Sequence, residues 1–213
     1  MSIKAVIFDL DGVIVSTDEY HYEAWKQIAD EKEIYFDRKI NERLRGVSRL
    51  ESLEIILEAT EKKYTNIEKQ KMMEEKNNFY RELLNKLSPK DILPGVVSVL
   101  EKLKAKGIKI AIGSSSKNTK FILDRIGFSS YFDAIADGNE IKNSKPDPEV
   151  FLLAAKKLKV DAENCLVVED ADAGVEAALR GGMLVLGVGA ASSNEKASYK
   201  AEDLDKIDIE KIV

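Results

Sequence analysis

Apolar residues in this chain follow two rhythms. Short, near-continuous runs occupy residues 3–8 (IKAVIF), 108–113 (IKIAIG), 165–170 (CLVVED) and 183–189 (MLVLGVG). They are brief and rich in Val, Ile and Leu, which predicts strands buried on both faces. Around them, apolar positions three and four apart predict helices over residues 96–106, 119–126, 149–158 and 173–180. Strands alternating with helices across short turns imply an α/β fold, a Rossmann-like parallel sheet covered on both sides.

Residues 16–92 break this pattern. DEYHYEAWKQIADEK, SRLESLEIILEATEKK and IEKQKMMEEKNNFYRELLNKL all carry helical periodicity with charged outer faces, and no convincing strand lies among them. The expectation is an all-helical cap, residues 16–92, inserted after the first strand of an α/β core made of residues 1–15 and 93–213. Pro89 and Pro94 mark its exit. A unit inserted there sits over the carboxyl edge of the sheet, where open α/β folds bind ligands.

Composition narrows the partners. An apolar fraction of 44% over 213 residues is enough for a sizeable core. A formal net charge of -5 argues against a nucleic-acid partner held by a basic field. Cys165 is the one cysteine, which excludes an intrachain disulfide and a cysteine zinc site; it opens a strand and is expected to be inert core. The chain runs from Met1 into a strand without a leader pattern, and no apolar run approaches the length of a membrane span. A cytoplasmic protein is expected, working as a monomer with no membrane partner.

The first run ends in two aspartates, Asp9 and Asp11, spaced to share one side of an extended chain. Close carboxylates repel, so the pair calls for a cation or a shifted pKa, and a hard cation such as magnesium alongside phosphate fits oxygen ligands. The bland alternative is a strand end whose acids cap the turn before Gly12. Other chemistry gathers on the same sheet edge: Glu169 and Asp170 in VVED, Ser114 in GSSS, and Lys145 in the loop NSKPDP. GSSSKNTK lacks the second glycine of a nucleotide P-loop, and GVGAAS fails the dinucleotide fingerprint.

The four elements DLDGV, GSSS, SKPDP and VVED, in that order and on those strand ends, resemble the haloacid dehalogenase-like superfamily of phosphoryl-transfer enzymes over nearly the whole chain. The resemblance implies Asp9 as a nucleophile forming an aspartyl-phosphate, and Asp11 as general acid and base. It also implies Mg2+ held by Asp9, the Asp11 carbonyl and Asp170 with Glu169 beside it, Lys145 as a fixed charge, and Ser114 as a donor to the phosphoryl group. Such a site must offset repulsion of roughly 5 kcal/mol per pair of unit charges at ~3 Å and an effective dielectric of ~20.

GVSR, EYHYEAW, EEKNNFY and SSSKN are further similar to the hexose-phosphate mutases of that superfamily. That likeness implies exchange between β-D-glucose 1-phosphate and D-glucose 6-phosphate, with β-glucose 1,6-bisphosphate as intermediate and priming donor. It implies a second phosphate site built from Arg49, with Gly46 at a turn and Ser48 and Ser52 beside it, facing Ser115, Ser116, Lys117 and Asn118. His21 and Lys76 would orient Asp11 and the sugar, Thr17 would sit at the hinge, and Asn77 would touch the sugar. Arg45 stands where the mutases commonly carry lysine. Read without the likeness, Arg49 is an ordinary surface arginine and His21 a half-covered helix residue. A sugar-phosphate phosphatase on the same scaffold and an inactive phosphosugar-binding regulator are the alternatives; the catalytic residues needed for turnover are all present.

Overall fold

The computed structural model describes residues 2–44 and 47–213. Arg45 and Gly46 lie outside the described residues, so the expectations placed on them go no further. Six parallel strands form one sheet: β1 (Ala5–Phe8), β2 (Lys109–Gly113), β3 (Ala134–Ala136), β4 (Cys165–Glu169), β5 (Leu184–Gly187) and β6 (Tyr199–Lys200), in the order β3-β2-β1-β4-β5-β6. The predicted α/β Rossmann-like class is the observed one, with the first strand at the centre. Alternate residues of the strands feed two separate apolar layers. Val6, Phe8, Ile110, Ile112, Leu166 and Val168 enter one. Ala5, Ile7, Ala111, Cys165, Val167 and Val185 enter the other. Burial on both faces is why the runs read as continuous rather than alternating.

Helices α5 (Val96–Ala105), α6 (Thr119–Arg125), α7 (Glu149–Leu158) and α8 (Asp172–Arg180) cover the sheet. Between β1 and the first of these lie α1 (Asp18–Glu31), α2 (Arg38–Glu42), α3 (Arg49–Leu57) and α4 (Asn66–Leu84). These four carry an apolar cluster of their own, including Trp25, Ile28, Leu53, Ile56 and Met72. Capping boxes start α3 and α4: Ser48 with Glu51, and Thr65 with Glu68.

Three elements depart from the periodicity. α3 stops at Leu57 rather than running to residue 63, because EATEKK offers no further apolar position to bury. β3 and β6 are three and two residues long, too short to show a pattern. α2 is a five-residue helix without a buried side chain.

Register fixes the site. Phe8 pairs with Ile112 of β2 and Val168 of β4, so Asp9, Gly113 and Glu169 leave the sheet at one level. The Asp9 amide continues the ladder by donating to the Val168 carbonyl at 2.9 Å.

Phe151 on α7 supports that edge from below. It is fully buried; a Cβ at Gly113 would lie 2.7 Å from its ring, and the Lys145 ammonium lies 4.7 Å from the ring centroid. Phe151→Ala should therefore destabilise the protein by ~3–5 kcal/mol in urea unfolding, as large-to-small changes in tight cores do. A loss below ~1 kcal/mol would show that the packing has slack.

Candidate active site

Asp9, Glu169 and Lys145 form a buried triad where β1 and β4 end. The Lys145 ammonium donates to Asp9 Oδ1 and to Glu169 Oε2, both at 2.7 Å. Burial works against the charged lysine, but the facing carboxylates of Asp9 and Glu169 outweigh it and hold its pKa above the ordinary value. Glu169 spends its other oxygen on the backbone amides of Asp170 and Ala171, at 3.1 Å each. Gly174 lets α8 approach this carboxylate: a Cβ there would stand 1.9 Å from Glu169 Oε2.

Asp170 completes the acidic group. Oxygens of Asp9, Glu169 and Asp170 all lie within 4.8 Å of one another. Burial first, then the charges of Glu169, Asp9 and Asp11, push Asp170 up to about 9, while Lys145 pulls the other way. Burial and Asp9 push Glu169 up to about 7 against the pull of Lys145. Gly12, at φ +81°, passes so close that a Cβ would meet Asp170 Oδ2 at 2.1 Å. Crowded carboxylates served by one ammonium are under-neutralised, and the donors are all oxygens. The residues therefore fit a hard divalent cation such as Mg2+.

Asp11 stands apart from that group. Its Oδ1 accepts from the Thr17 amide and its Oδ2 from the Thr17 hydroxyl, each at 2.6 Å. Thr17 is the N-cap residue of α1, yet its hydroxyl caps nothing in that helix because Asp11 takes it. The same hydroxyl oxygen lies 2.8 Å from the Tyr80 hydroxyl on α4. Dense protein around Asp11 and the nearby Asp18 push its pKa up to about 7, against the Thr17 bonds, although the side chain keeps 28% of its surface open.

His21 and Lys76 face each other across α1 and α4, with Lys76 Nζ 2.8 Å from His21 Nδ1. The other ring nitrogen, Nε2, lies 3.7 Å from Asp11 Oδ2. Burial, then the neighbouring Lys76 and Arg49 charges, lower the His21 pKa well below its ordinary value and keep the ring neutral. Burial, then Arg49, likewise depress Lys76, whose ammonium rests against the rings of Tyr80 and Trp25, 4.3 and 5.3 Å from their centroids.

A further polar group links α3, α4 and the loop after β2. Asn77 Oδ1 accepts from Arg49 Nη2 at 2.7 Å and from Asn118 Nδ2 at 3.0 Å. Asn77, expected to touch a sugar, is held by these two donors. Thr17 is behind the cavity wall, under Asp11. One cavity of about 510 Å³ runs between the two groups, and Asp9, Asp11, His21, Ser48, Arg49, Ser52, Lys76 and Lys145 are on its wall. The four residues Ser114 to Lys117, with Asn118, Glu169 and Asp170, line it too. The Ser48 hydroxyl is already engaged as the cap of α3. Sequence reasoning missed Tyr80, Asp18, Lys142 and Gln70, which also line the cavity. Tyr80 alone had a signal: it sits four residues after Lys76, as His21 sits four after Thr17, so the two pairs present matching helix faces.

A central strand ending in a carboxylate, a buried lysine shared between two strand ends and an acidic group fit for a metal define a phosphoryl-transfer architecture. The chain belongs to the haloacid dehalogenase-like hydrolase family, whose model matches residues 3–182. It is 51% identical over 189 residues to a Bacillus subtilis protein named beta-phosphoglucomutase, covering 88% of this chain and 84% of that one. A crystal structure of beta-phosphoglucomutase from Clostridium difficile superposes with a TM-score of 0.93 at 45% identity, over 99% of this chain and 95% of that one. A Thermotoga maritima protein named phosphorylated carbohydrates phosphatase is 37% identical, over 85% of this chain and 82% of its own length. No helix among the described residues is long and apolar enough to cross a membrane.

If the acidic group is a metal site, Mg2+ stabilises the folded protein without any substrate. At about 100 times its Kd the gain should be ~2.7 kcal/mol, a rise of ~5–10 °C in the unfolding midpoint for a chain of this size. Asp170→Ala should lose that shift. A wild-type midpoint indifferent to Mg2+, or an equal rise in the variant, would remove the metal from this site.

Proposed function

We propose that the chain is a magnesium-dependent phosphomutase that interconverts β-D-glucose 1-phosphate and D-glucose 6-phosphate. The observation that carries this reading is a single cavity with cationic side chains at both ends. Lys145 lies beside Asp9 at one end, and Arg49 and Asn118 meet on Asn77 Oδ1 at the other. A substrate with two phosphoryl groups needs two such ends; hydrolysis of a monoester needs one. The 51% identity to a beta-phosphoglucomutase supports it.

In this mechanism Asp9 attacks phosphorus, the bond from phosphorus to the sugar oxygen breaks, and the Asp11 proton goes to that oxygen. The raised pKa of Asp11, about 7, leaves it able both to give and to regain a proton near neutrality. In the complementary step the free hydroxyl of a bound hexose monophosphate loses its proton to Asp11 and attacks the phosphoryl group on Asp9, and the bond from Asp9 to phosphorus breaks to give the bisphosphate. Ser114 and Lys145 hold the transferring phosphoryl oxygens, and Arg49, Ser116, Lys117 and Asn118 hold the second phosphate. Arginine suits that post because its planar fork grips phosphate at two points. When bound among Asp9, Asp170, Glu169 and the Asp11 carbonyl, Mg2+ supplies charge neutralisation for the approach of two anions.

Residues 16–92 act as a cap over the core. Thr17 and Tyr80 hold Asp11, so its position depends on how α1 and α4 sit. His21 and Lys76 orient Asp11 and the sugar hydroxyls. Closure excludes water from the phosphorylated Asp9. β-Glucose 1,6-bisphosphate serves as intermediate and as the donor that first phosphorylates the enzyme.

A coupled assay with each glucose 1-phosphate anomer, primed with the bisphosphate, tests the reading. The β anomer should yield glucose 6-phosphate much faster than either anomer releases inorganic phosphate. Phosphate release as the main outcome would make water the acceptor and the chain a phosphatase. Asp9→Asn should lose all turnover, and near-normal activity would remove Asp9 from the mechanism. Arg49→Ala should cut mutase kcat/KM by ~10²-fold or more while sparing hydrolysis of acetyl phosphate, since a buried charged contact is worth ~2–5 kcal/mol. Equal losses on both would count against two phosphate sites.

A further inference from the structure

Asp137 follows β3 and is the most deeply buried carboxylate of the chain among the described residues, at 0% exposure. It touches none of the groups that the mechanism uses. Burying a carboxylate is costly unless it is paired or hydrogen-bonded, so its contacts identify its use. Oδ1 accepts from the backbone amide of Asn139 at 2.9 Å, which folds residues 137–139 into a tight turn. Oδ2 has no hydrogen-bond partner and lies 3.7 Å from the Lys120 ammonium at the start of α6.

The turn shaped by Asp137 grips the loop after β2. The Gly138 amide donates to the Ser116 carbonyl at 3.1 Å, and Asn139 Nδ2 donates to the Lys117 carbonyl at 3.0 Å. The approach is so close that a Cβ on Gly138 would sit 2.1 Å from the Ser115 carbonyl oxygen. Below it, the Ser114 amide donates to the Ala136 carbonyl at 3.1 Å. Lys120 follows the loop on its other side. The loop that carries Ser116, Lys117 and Asn118 into the cavity is thus held along its outer edge by one turn, and Asp137 sets the shape of that turn.

We infer that Asp137 is a positioning residue for the second phosphate site, acting through the turn 137–139 on loop 114–118. This rests on the mutase reading for the name of the ligand, but not for the hold on the loop. Without the Asp137 acceptor the turn loosens, its bonds to the Ser116 and Lys117 carbonyls weaken, the Thr119 hydroxyl is left holding the Ser116 carbonyl at 2.8 Å, and the ordering cost is charged against substrate binding. The amide oxygen of an asparagine replaces Oδ1 and not the charge, so the two parts of the carboxylate are separable.

Three variants, Asp137→Ala, Asp137→Asn and Asn139→Ala, test this by steady-state kinetics with β-glucose 1-phosphate and by hydrogen exchange of segment 114–120. Asp137→Ala should raise KM about tenfold, the equivalent of one lost hydrogen bond in a buried site, with a smaller change in kcat. It should also speed exchange across the segment. Asp137→Asn should return both towards wild type, and phosphorylation of Asp9 by acetyl phosphate should be unchanged throughout. Unchanged KM and exchange in Asp137→Ala overturn the inference; so does an equal fall in acetyl phosphate reactivity, the mark of a general loss of structure. Should Asp137→Ala fail to fold, Asn139→Ala decides, since that exposed side chain only removes the bond to Lys117. Unaltered exchange and KM there overturn the inference. A wild type that does not interconvert the hexose phosphates overturns the mutase reading instead, and the exchange measurement still reads the hold of Asp137 on the loop.

Discussion

The site depends on one buried ammonium. Lys145 reaches two carboxylates that emerge from different strands, Asp9 from β1 and Glu169 from β4, and neither would be tolerable there without it. Coulomb attraction in a poorly hydrated pocket is strong, but so is the cost of removing three charges from water. The arrangement survives because Glu169 is also held by two backbone amides, and because the aromatic face of Phe151 lies under the lysine. The net charge of this group stays negative even so. That residual field makes the edge receptive to a divalent cation and, with one present, to the anionic group of a substrate.

A second dependence runs between the sheet and the helices inserted after β1. Asp11 belongs to the core, yet both of its oxygens are held by Thr17, the N-cap residue of α1. Thr17 leans on Tyr80, Tyr80 on His21, whose ring centroid is 4.1 Å away, and His21 on Lys76. A shift of α4 relative to α1 therefore reaches Asp11 through four side chains. The missing helix cap at Thr17, typically worth ~1 kcal/mol, is a local cost offset by that connection.

Much of this was legible in the sequence. The strands β1, β2, β4 and β5 announce themselves because both faces are buried, so their inner positions are apolar almost without a break. The residues of the acidic group sit at strand ends, where a run of Val and Ile stops at an acid; Asp9, Glu169 and Asp170 stand out for that reason. β3 did not show, since Ala134–Ala136 is three residues of a kind found anywhere. Its loop was equally silent: Asp137 reads as an ordinary loop acid until the backbone is folded against Ser116 and Lys117. The contacts of Asn77 did not show either, because they depend on what faces it from α3 and the core, which no spacing within α4 encodes.

The two donors on Asn77 have the widest consequence. A neutral carboxamide oxygen on Asn77 already accepts from Arg49 Nη2 and Asn118 Nδ2, which takes one of the five guanidinium N–H donors. A plain hydroxyl is no better an acceptor than this amide and gains little by evicting it; a doubly charged oxyanion gains a great deal. The pair of donors thus sorts visitors by ionic strength of attraction before any fit of ring or stereochemistry is tried. On the proposed reading, a phosphorylated sugar therefore gains more at the far wall than an unphosphorylated one.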